Sequence, residues 1–184
     1  SKVGTLGGYV TFKYNAIFAL GTAVWSIMAL SGTLAGEAQR GSLDFVAAAP
    51  FGKRRIALEK LAAHLTGLWI AMAFLALMTT FSSNVFGNAE LGDSISLVSS
   101  GGFALWIGFL AMFFGGVALA LSPLLGRAGG AGVAGLVMAA TWLTTGLGIG
   151  GPLLALSPFA WTFDHIPLAG IYDWPSVALL GVAA

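Results

Sequence analysis

Side chains that could do chemistry are few in this chain, and most of them lie in one short segment. Only 15 of the 184 residues are charged, and eight of these fall between Glu37 and Lys60. Outside this charged segment, the titratable candidates include His64, Asp164, His165 and Asp173. A polar site made of the last three is disfavoured, because neighbouring residues of one loop rarely converge on a substrate. The charges therefore suit ion pairing and lipid headgroups better than catalysis.

Several chemistries are excluded by what the sequence lacks. The chain has no cysteine, so it has neither a thiolate metal site nor a cysteine nucleophile. The G-x-x-x-x-G-K-[ST] pattern of nucleotide-binding loops does not occur. The run from Arg127 to Gly130 has the wrong residues for that pattern and is interpreted as a turn. We expect this chain to bind no cofactor, metal or nucleic acid.

The composition is typical of a membrane protein. Hydrophobic residues make up 58% of the chain and charged residues 8%, and the mean hydropathy is +0.92. Soluble domains carry about a quarter charged residues, because they must cover their surface with polar groups. A surface as apolar as this one is stable only against lipid. We predict an all-α integral membrane protein in which residues 1–184 form a single polytopic helical bundle.

The apolar runs predict about four full spans, since roughly 20 apolar residues are needed to cross the hydrocarbon core. These runs cover residues 16–35, 61–81, 101–121 and 129–147. Prolines and glycines interrupt the next uncharged stretch, so residues 149–173 are predicted to form a re-entrant or outer segment. Residues 174–184 are apolar but reach only about half the length of a span. We therefore expect a fragment that ends inside a helix.

Lysine and arginine in the short loops predict the orientation of these spans. Five of the eight basic residues lie in the loop 36–60, and Arg127 lies in the loop 123–128. The loops 84–100 and 149–173 contain no basic residue. We predict that the first two loops face the cytoplasm, across a bacterial-type inner membrane. Because this puts the N-terminus outside, at least one upstream span is expected to be missing.

The charged segment has the pattern of a short capped helix. Ser42 is a good N-cap, Asp44 lies where the helix dipole favours a carboxylate, and Pro50 ends the helix. We predict an amphipathic helix over about 42–49 on the cytoplasmic membrane surface. Residues 53–55 follow as Lys-Arg-Arg, whose charges can meet anionic headgroups. A basic loop that only sets topology is the alternative that this pattern leaves open.

The same residues resemble the permease subunits of ABC-2 type exporters. The family pattern is an acidic residue, Arg-Gly-Thr/Ser-Leu-Glu/Asp, apolar residues, a proline, basic residues and a lysine that opens the next span. Here it reads EAQRGSLDF from Glu37, then Pro50, KRRI from Lys53, and Lys60. Residues 156–180 resemble the corresponding region of antibiotic-resistance members such as tetronasin exporters. The resemblance covers nearly the whole chain, with its distinctive motifs within 37–61 and 156–175.

The resemblance implies a transport subunit and not an enzyme. In that family a coupling helix docks into a partner ATPase, which binds ATP and Mg, and a second permease half completes the transporter, either fused or separate. The expected substrate is a hydrophobic or amphipathic drug, antibiotic or lipid that leaves the cytoplasm. The residues expected at the ATPase interface are Glu37, Arg40, Gly41, Ser42, Leu43, Asp44, Phe45, Ala48, Pro50 and Arg54. A second cytoplasmic contact is expected at Leu124 and Arg127.

A substrate path would have to be lined by helix faces. The candidates for it are Trp25, Met28, Trp69, Met72, Trp106, Phe109 and Phe113. Such side chains in membrane helices more often face lipid or pack against other helices. The glycines at 115–116 and within 129–135 are interpreted as sites of close helix packing.

Other functional classes fit the sequence less well. An ion-coupled carrier usually holds ionisable groups inside its spans, whereas all seven acidic residues are predicted to lie in loops and only His64 lies in a span. A haem or pigment scaffold would need axial histidines within spans. A cofactor-free accessory subunit of a membrane complex remains the alternative to an exporter permease.

Overall fold

The computed structural model describes residues 6–33, 53–87, 94–149, 151–162 and 165–184. Their α-helices are α1 (Leu6–Ser31), α2 (Lys53–Phe86), α3 (Leu97–Leu147), α4 (Pro158–Trp161) and α5 (Trp174–Ala183). Two 3-10 helices cover Gly151–Leu156 and Pro167–Ala169. The β pairing in this described part is a single bridge between Ile166 and Ile171. The predicted all-helical class is confirmed for these residues.

Helix α3 breaks at Gly126 into two arms, residues 97–125 and 127–147. Gly126 has φ 74° and ψ 170°, a conformation essentially restricted to glycine. A methyl group added at Gly130 would lie 2.8 Å from the Cα of Ser122. In an unbroken helix those two residues would be about 12 Å apart along the axis. The chain therefore turns back at Gly126, between the third and fourth predicted runs.

The first arm of α3 packs against α1 through small side chains. At Gly115 an added methyl group would lie 2.9 Å from both Ser26 Cβ and Leu30 Cδ1. On each helix, four of the buried residues repeat at intervals of four, three and four, which puts each set on one helix face. They are Ala19, Ala23, Ser26 and Leu30 on α1, and Ala111, Gly115, Ala118 and Ser122 on α3. Small residues at this spacing let two helix backbones approach closely.

Helix α2 packs against the same arm with one side only. An added methyl group at Gly108 would lie 2.8 Å from Trp69 and 3.3 Å from Met72 of α2. The opposite side carries large exposed apolar residues at intervals of four, three and four: Ile70, Phe74, Leu77 and Phe81. Two of the described helices, Arg55–Phe86 and Leu97–Leu147, are long and apolar enough to cross a membrane by length and composition.

The segment after α3 folds back onto the first arm in short helical pieces. Ser157 caps α4, and its hydroxyl oxygen accepts from the Ala160 N–H at 3.3 Å. Trp106 Nε1 donates to Thr162 Oγ1 at 2.5 Å in a buried position. An added methyl group at Gly102 would lie 3.2 Å from both Pro167 and Trp174. The described residues of 158–173 therefore pack against the first arm, although they contain no long helix.

Candidate functional site

The predicted coupling helix lies outside the residues that the structure describes. The same is true of the other residues expected at the ATPase interface between Glu37 and Pro50. Arg54 lies within α2, but its side chain is likewise outside the described part. The described residues closest to it in sequence are Thr33, two residues after the end of α1, and Lys53, at the start of α2.

A groove lies between the end of α1, the first turns of α2 and the break of α3. Its volume is about 360 Å³. One part of its lining is apolar and includes Met28 and Leu30. The polar part includes Lys60, His64 and Arg127. Residues far apart in the sequence thus meet at the end of the bundle that is predicted to be cytoplasmic.

Helix packing explains how the basic side chains reach this groove. Lys60 Nζ donates to the Thr33 carbonyl oxygen at 3.3 Å, just beyond the C-terminus of α1. A cation is favourable there, because the last carbonyls of a helix carry partial negative charge. Arg127 Nε lies 3.3 Å from where a methyl group at Gly32 would be. The glycine therefore leaves room for the guanidinium against α1.

His64 joins α2 to α1 at the inner end of the groove. Its Nε2 is 3.0 Å from the hydroxyl oxygen of the buried Ser26. The Trp25 ring meets the imidazole edge-on, with the ring centroids 5.0 Å apart. The sequence places His64 in a predicted span, and the structure gives it a polar contact between two helices.

The charge of the groove is positive. None of the described residues that line it is acidic. The nearby pair Arg55–Glu59 is joined at 2.8 Å and lies on the surface, with both side chains about 60% exposed. Exposed pairs of this kind contribute roughly 0–1 kcal/mol. Arg55 is not among the residues that line the groove.

The two residues of the second predicted cytoplasmic contact lie in different environments. Leu124 is 80% exposed at the turn between the two arms of α3. Arg127 is half-buried and lines the groove beside Gly32. A partner could therefore reach Leu124 directly, whereas Arg127 faces α1.

The seven candidates for a substrate path do not line one common surface. Trp69, Met72 and Phe109 come together around Gly108, and the Trp69 and Phe109 rings meet edge-on with centroids 5.5 Å apart. Phe113 contacts Trp161 edge-on at 6.0 Å.

The other path candidates lie elsewhere. Trp106 is buried and donates to Thr162. Trp25 and Met28 are exposed on α1, at 42% and 59%. The described residues thus place one group of candidates at the α2–α3 contact, others beneath the segment after α3, and two on the surface.

A second polar cluster surrounds His165, which the sequence had placed in an outer loop. His165 is only 3% exposed, and its Nδ1 accepts the Asp173 N–H at 3.0 Å. The neutral ring must then carry its proton on Nε2, for which the described residues provide no hydrogen-bond partner. Trp174 meets the ring edge-on at 5.4 Å and stacks on Tyr172. No spacing in the sequence indicated this burial, because it depends on how the segment folds onto α3.

Burial lowers the pKa of His165 below its ordinary value of 6.5, and the Gly102 backbone and the Asp173 carboxylate oppose this shift only in part. As the pH falls below 6.5, His165 therefore becomes protonated in the unfolded chain before it does so in the folded chain. We expect the His165 contribution to stability to be complete above pH 6.5 and to be lost as the pH falls toward the lower, folded pKa.

This pH dependence can be measured as the Tm of the detergent-solubilised protein between pH 8 and pH 5. A His165→Gln variant lacks the titrating ring, so its Tm should fall less over that range than the wild-type Tm. Any contribution of His64 to the change in Tm with pH is present in both proteins and cancels in the comparison. Equal slopes in the two proteins would show that His165 is not buried in its neutral form.

Comparison with protein-family models, with curated proteins and with solved structures finds no match to this chain.

Proposed function

We propose that this chain is the membrane-spanning permease subunit of an ATP-driven exporter, with residues 42–49 as its coupling helix. The observation that carries the membrane part is the apolar exposed surface of the long helices. Ile70 and Phe74 on α2 and Leu136 on the second arm of α3 are 62–72% exposed. Within 61–86 and 97–147, the charged residue is Arg127, at the break. Such surfaces are stable against hydrocarbon and costly in water.

The distribution of charge supports the orientation in this proposal. The described part of the charged segment, from Lys53 to Lys60, begins α2 at the same end as the basic lining of the groove. Basic residues accumulate on the cytoplasmic side of membrane proteins. An ATPase that binds this end would lie in the cytoplasm, where ATP and Mg are present.

The location of the acidic residues supports an external energy source. Among the described residues, the carboxylates are Glu59, in an exposed ion pair at the start of α2, and Asp173, which caps α5 by accepting the Ser176 N–H at 3.3 Å. Neither carboxylate lies within the apolar part of a helix. An ion-coupled carrier normally needs an ionisable group there, so hydrolysis of ATP by a partner is the better fit.

The alternative function is that of a cofactor-free accessory subunit in a larger membrane complex. The scattered positions of the seven path candidates favour it, because a permease half must contribute a continuous face to a path. A second permease half would have to complete that face in the exporter.

The first experiment tests association with an ATPase. The protein is purified from its native membranes as wild type and as the variant Leu43→Asp plus Phe45→Ala, and the copurifying ATPase activity is measured. Removing two anchor residues of an interface commonly weakens binding by about 30-fold or more. We therefore expect the ATPase to accompany the wild type and to be lost from the double variant.

The matched control is Leu97→Asp, which adds the same charge at the predicted outer end. Leu97 is 54% exposed and begins α3, where a carboxylate suits the helix dipole. The ATPase should still copurify with this variant. Absence of an ATPase from the wild type, or its retention by the double variant, would contradict the docking role of residues 42–49 and favour the accessory subunit.

A further inference from the structure

The groove combines positive charge with an apolar wall. Lys60 and His64 reach it from α2, and Arg127 reaches it from the break in α3. Met28 and Leu30 of α1 line the same groove, and no described lining residue is acidic. A ligand that fits this lining must be anionic at one end and apolar beside it. That rules against a simple inorganic anion as the best occupant.

An apolar surface continues from the groove along α1. Met28, Trp25, Val24 and Ile17 are each 41–63% exposed. Gly21 lies between Val24 and Ile17 and is also exposed, and nothing lies within 4 Å of a methyl group placed on it. Their spacing puts these residues on one face of the helix. The face is about 16 Å long, at 1.5 Å per residue.

We propose that the groove binds an anionic phospholipid. Its phosphate lies among Lys60, His64 and Arg127, and one acyl chain follows the face of α1 from Met28 to Ile17. The phosphate gains charge-assisted hydrogen bonds, and Arg is suited to paired bonds with phosphate oxygens. Because Gly21 has no side chain, the acyl chain has room to lie against the helix there. This inference goes beyond the proposed transport function and does not depend on an ATPase partner.

The test uses the intact chain, purified in a non-ionic detergent without any partner. Binding of palmitoyl-oleoyl phosphatidylglycerol and of palmitoyl-oleoyl phosphatidylcholine is titrated by native mass spectrometry. Glycerol 3-phosphate serves as the soluble anion without an acyl chain. We expect phosphatidylglycerol to bind more tightly than phosphatidylcholine, and glycerol 3-phosphate to bind far more weakly than either.

The variant Lys60→Gln plus Arg127→Gln tests the cationic lining. Each basic residue near a membrane surface contributes about fivefold to the binding of an anionic lipid, so the double variant should lose about 30-fold in affinity for phosphatidylglycerol. Its affinity for phosphatidylcholine should change little. Arg55→Gln is the matched control, because Arg55 lies outside the groove and is paired with Glu59 on the surface. This variant should still bind phosphatidylglycerol more tightly than phosphatidylcholine.

A second variant separates loss of charge from loss of structure. Lys60→Arg plus Arg127→Lys keeps both charges and should retain the preference for phosphatidylglycerol. Circular dichroism of every variant checks that the helix content is unchanged. Equal affinity for the two lipids in the wild type, an unaltered preference in the Gln variant, or tight binding of glycerol 3-phosphate alone would each overturn the proposal.

Discussion

Replacing Gly115 with leucine is expected to separate α1 from the first arm of α3 and to cause a large loss of stability. A single added carbon at this position would already lie 2.9 Å from Ser26 Cβ and Leu30 Cδ1, and 3.4 Å from the Ser26 backbone carbon. A backbone atom cannot rotate away, so the helices must move apart. Overpacking of a tight interior costs about 1–3 kcal/mol and sometimes more. The Tm in detergent should therefore fall clearly.

The matched control for this change is a glycine of the same arm that has free space. Nothing lies within 4 Å of a methyl group placed at Gly101. Alanine is favoured over glycine within a helix by about 1 kcal/mol. Gly101→Ala should therefore leave the Tm equal or slightly higher, whereas Gly115→Ala should lower it. The same sign for both alanine variants would show that α1 and α3 are not in close contact at Gly115.

Replacing Gly130 with alanine is expected to open the turn between the two arms of α3. The added methyl group would lie 2.8 Å from the Cα and the N of Ser122, and both atoms belong to the backbone. The clash can be relieved only if the arms separate around Gly126. Loss of this contact should expose Arg127, which is half-buried in the structure.

Limited trypsin digestion measures the opening of this turn. Arg127 is the single lysine or arginine within residues 61–184, so cleavage there releases a fragment that begins at Ala128. We expect faster release from Gly130→Ala than from the wild type. Gly132→Ala is the control, because nothing lies within 4 Å of its added methyl group, and it should be cleaved at the wild-type rate. Equal rates for all three proteins would contradict the close contact of Gly130 with Ser122.

Much of the helical architecture could be predicted because it follows from local patterns. Long apolar runs without charge predict helices, and Ser-Pro at 122–123 followed by glycines predicts a break between two of them. Ser157-Pro158 is one of the signals that interrupt the uncharged stretch 149–173, and in the structure a short capped helix begins there. Each of these features is decided within a few residues.

The sequence could not indicate which of these positions meet in space. Gly115 and Gly130 lie at close contacts, whereas Gly132 and Gly135 have open space, although all four had the same interpretation. The difference depends on the partner that each helix face meets. The groove is a further example, because Lys60 and Arg127 are brought together only by the packing of α2 and the α3 break against α1.

The length of α2 has a consequence for how the charged end sits relative to a bilayer. Its 34 residues extend over about 51 Å, whereas the hydrocarbon core is about 30 Å thick. The contact of Lys60 with Thr33 sets the end of α1 level with Lys60, and Lys53 lies about 10 Å further along the axis. In the proposed membrane setting, the first two turns of α2 therefore lie outside the hydrocarbon core, at the level of the headgroups and beyond. A partner protein could contact these two turns without entering the hydrocarbon core.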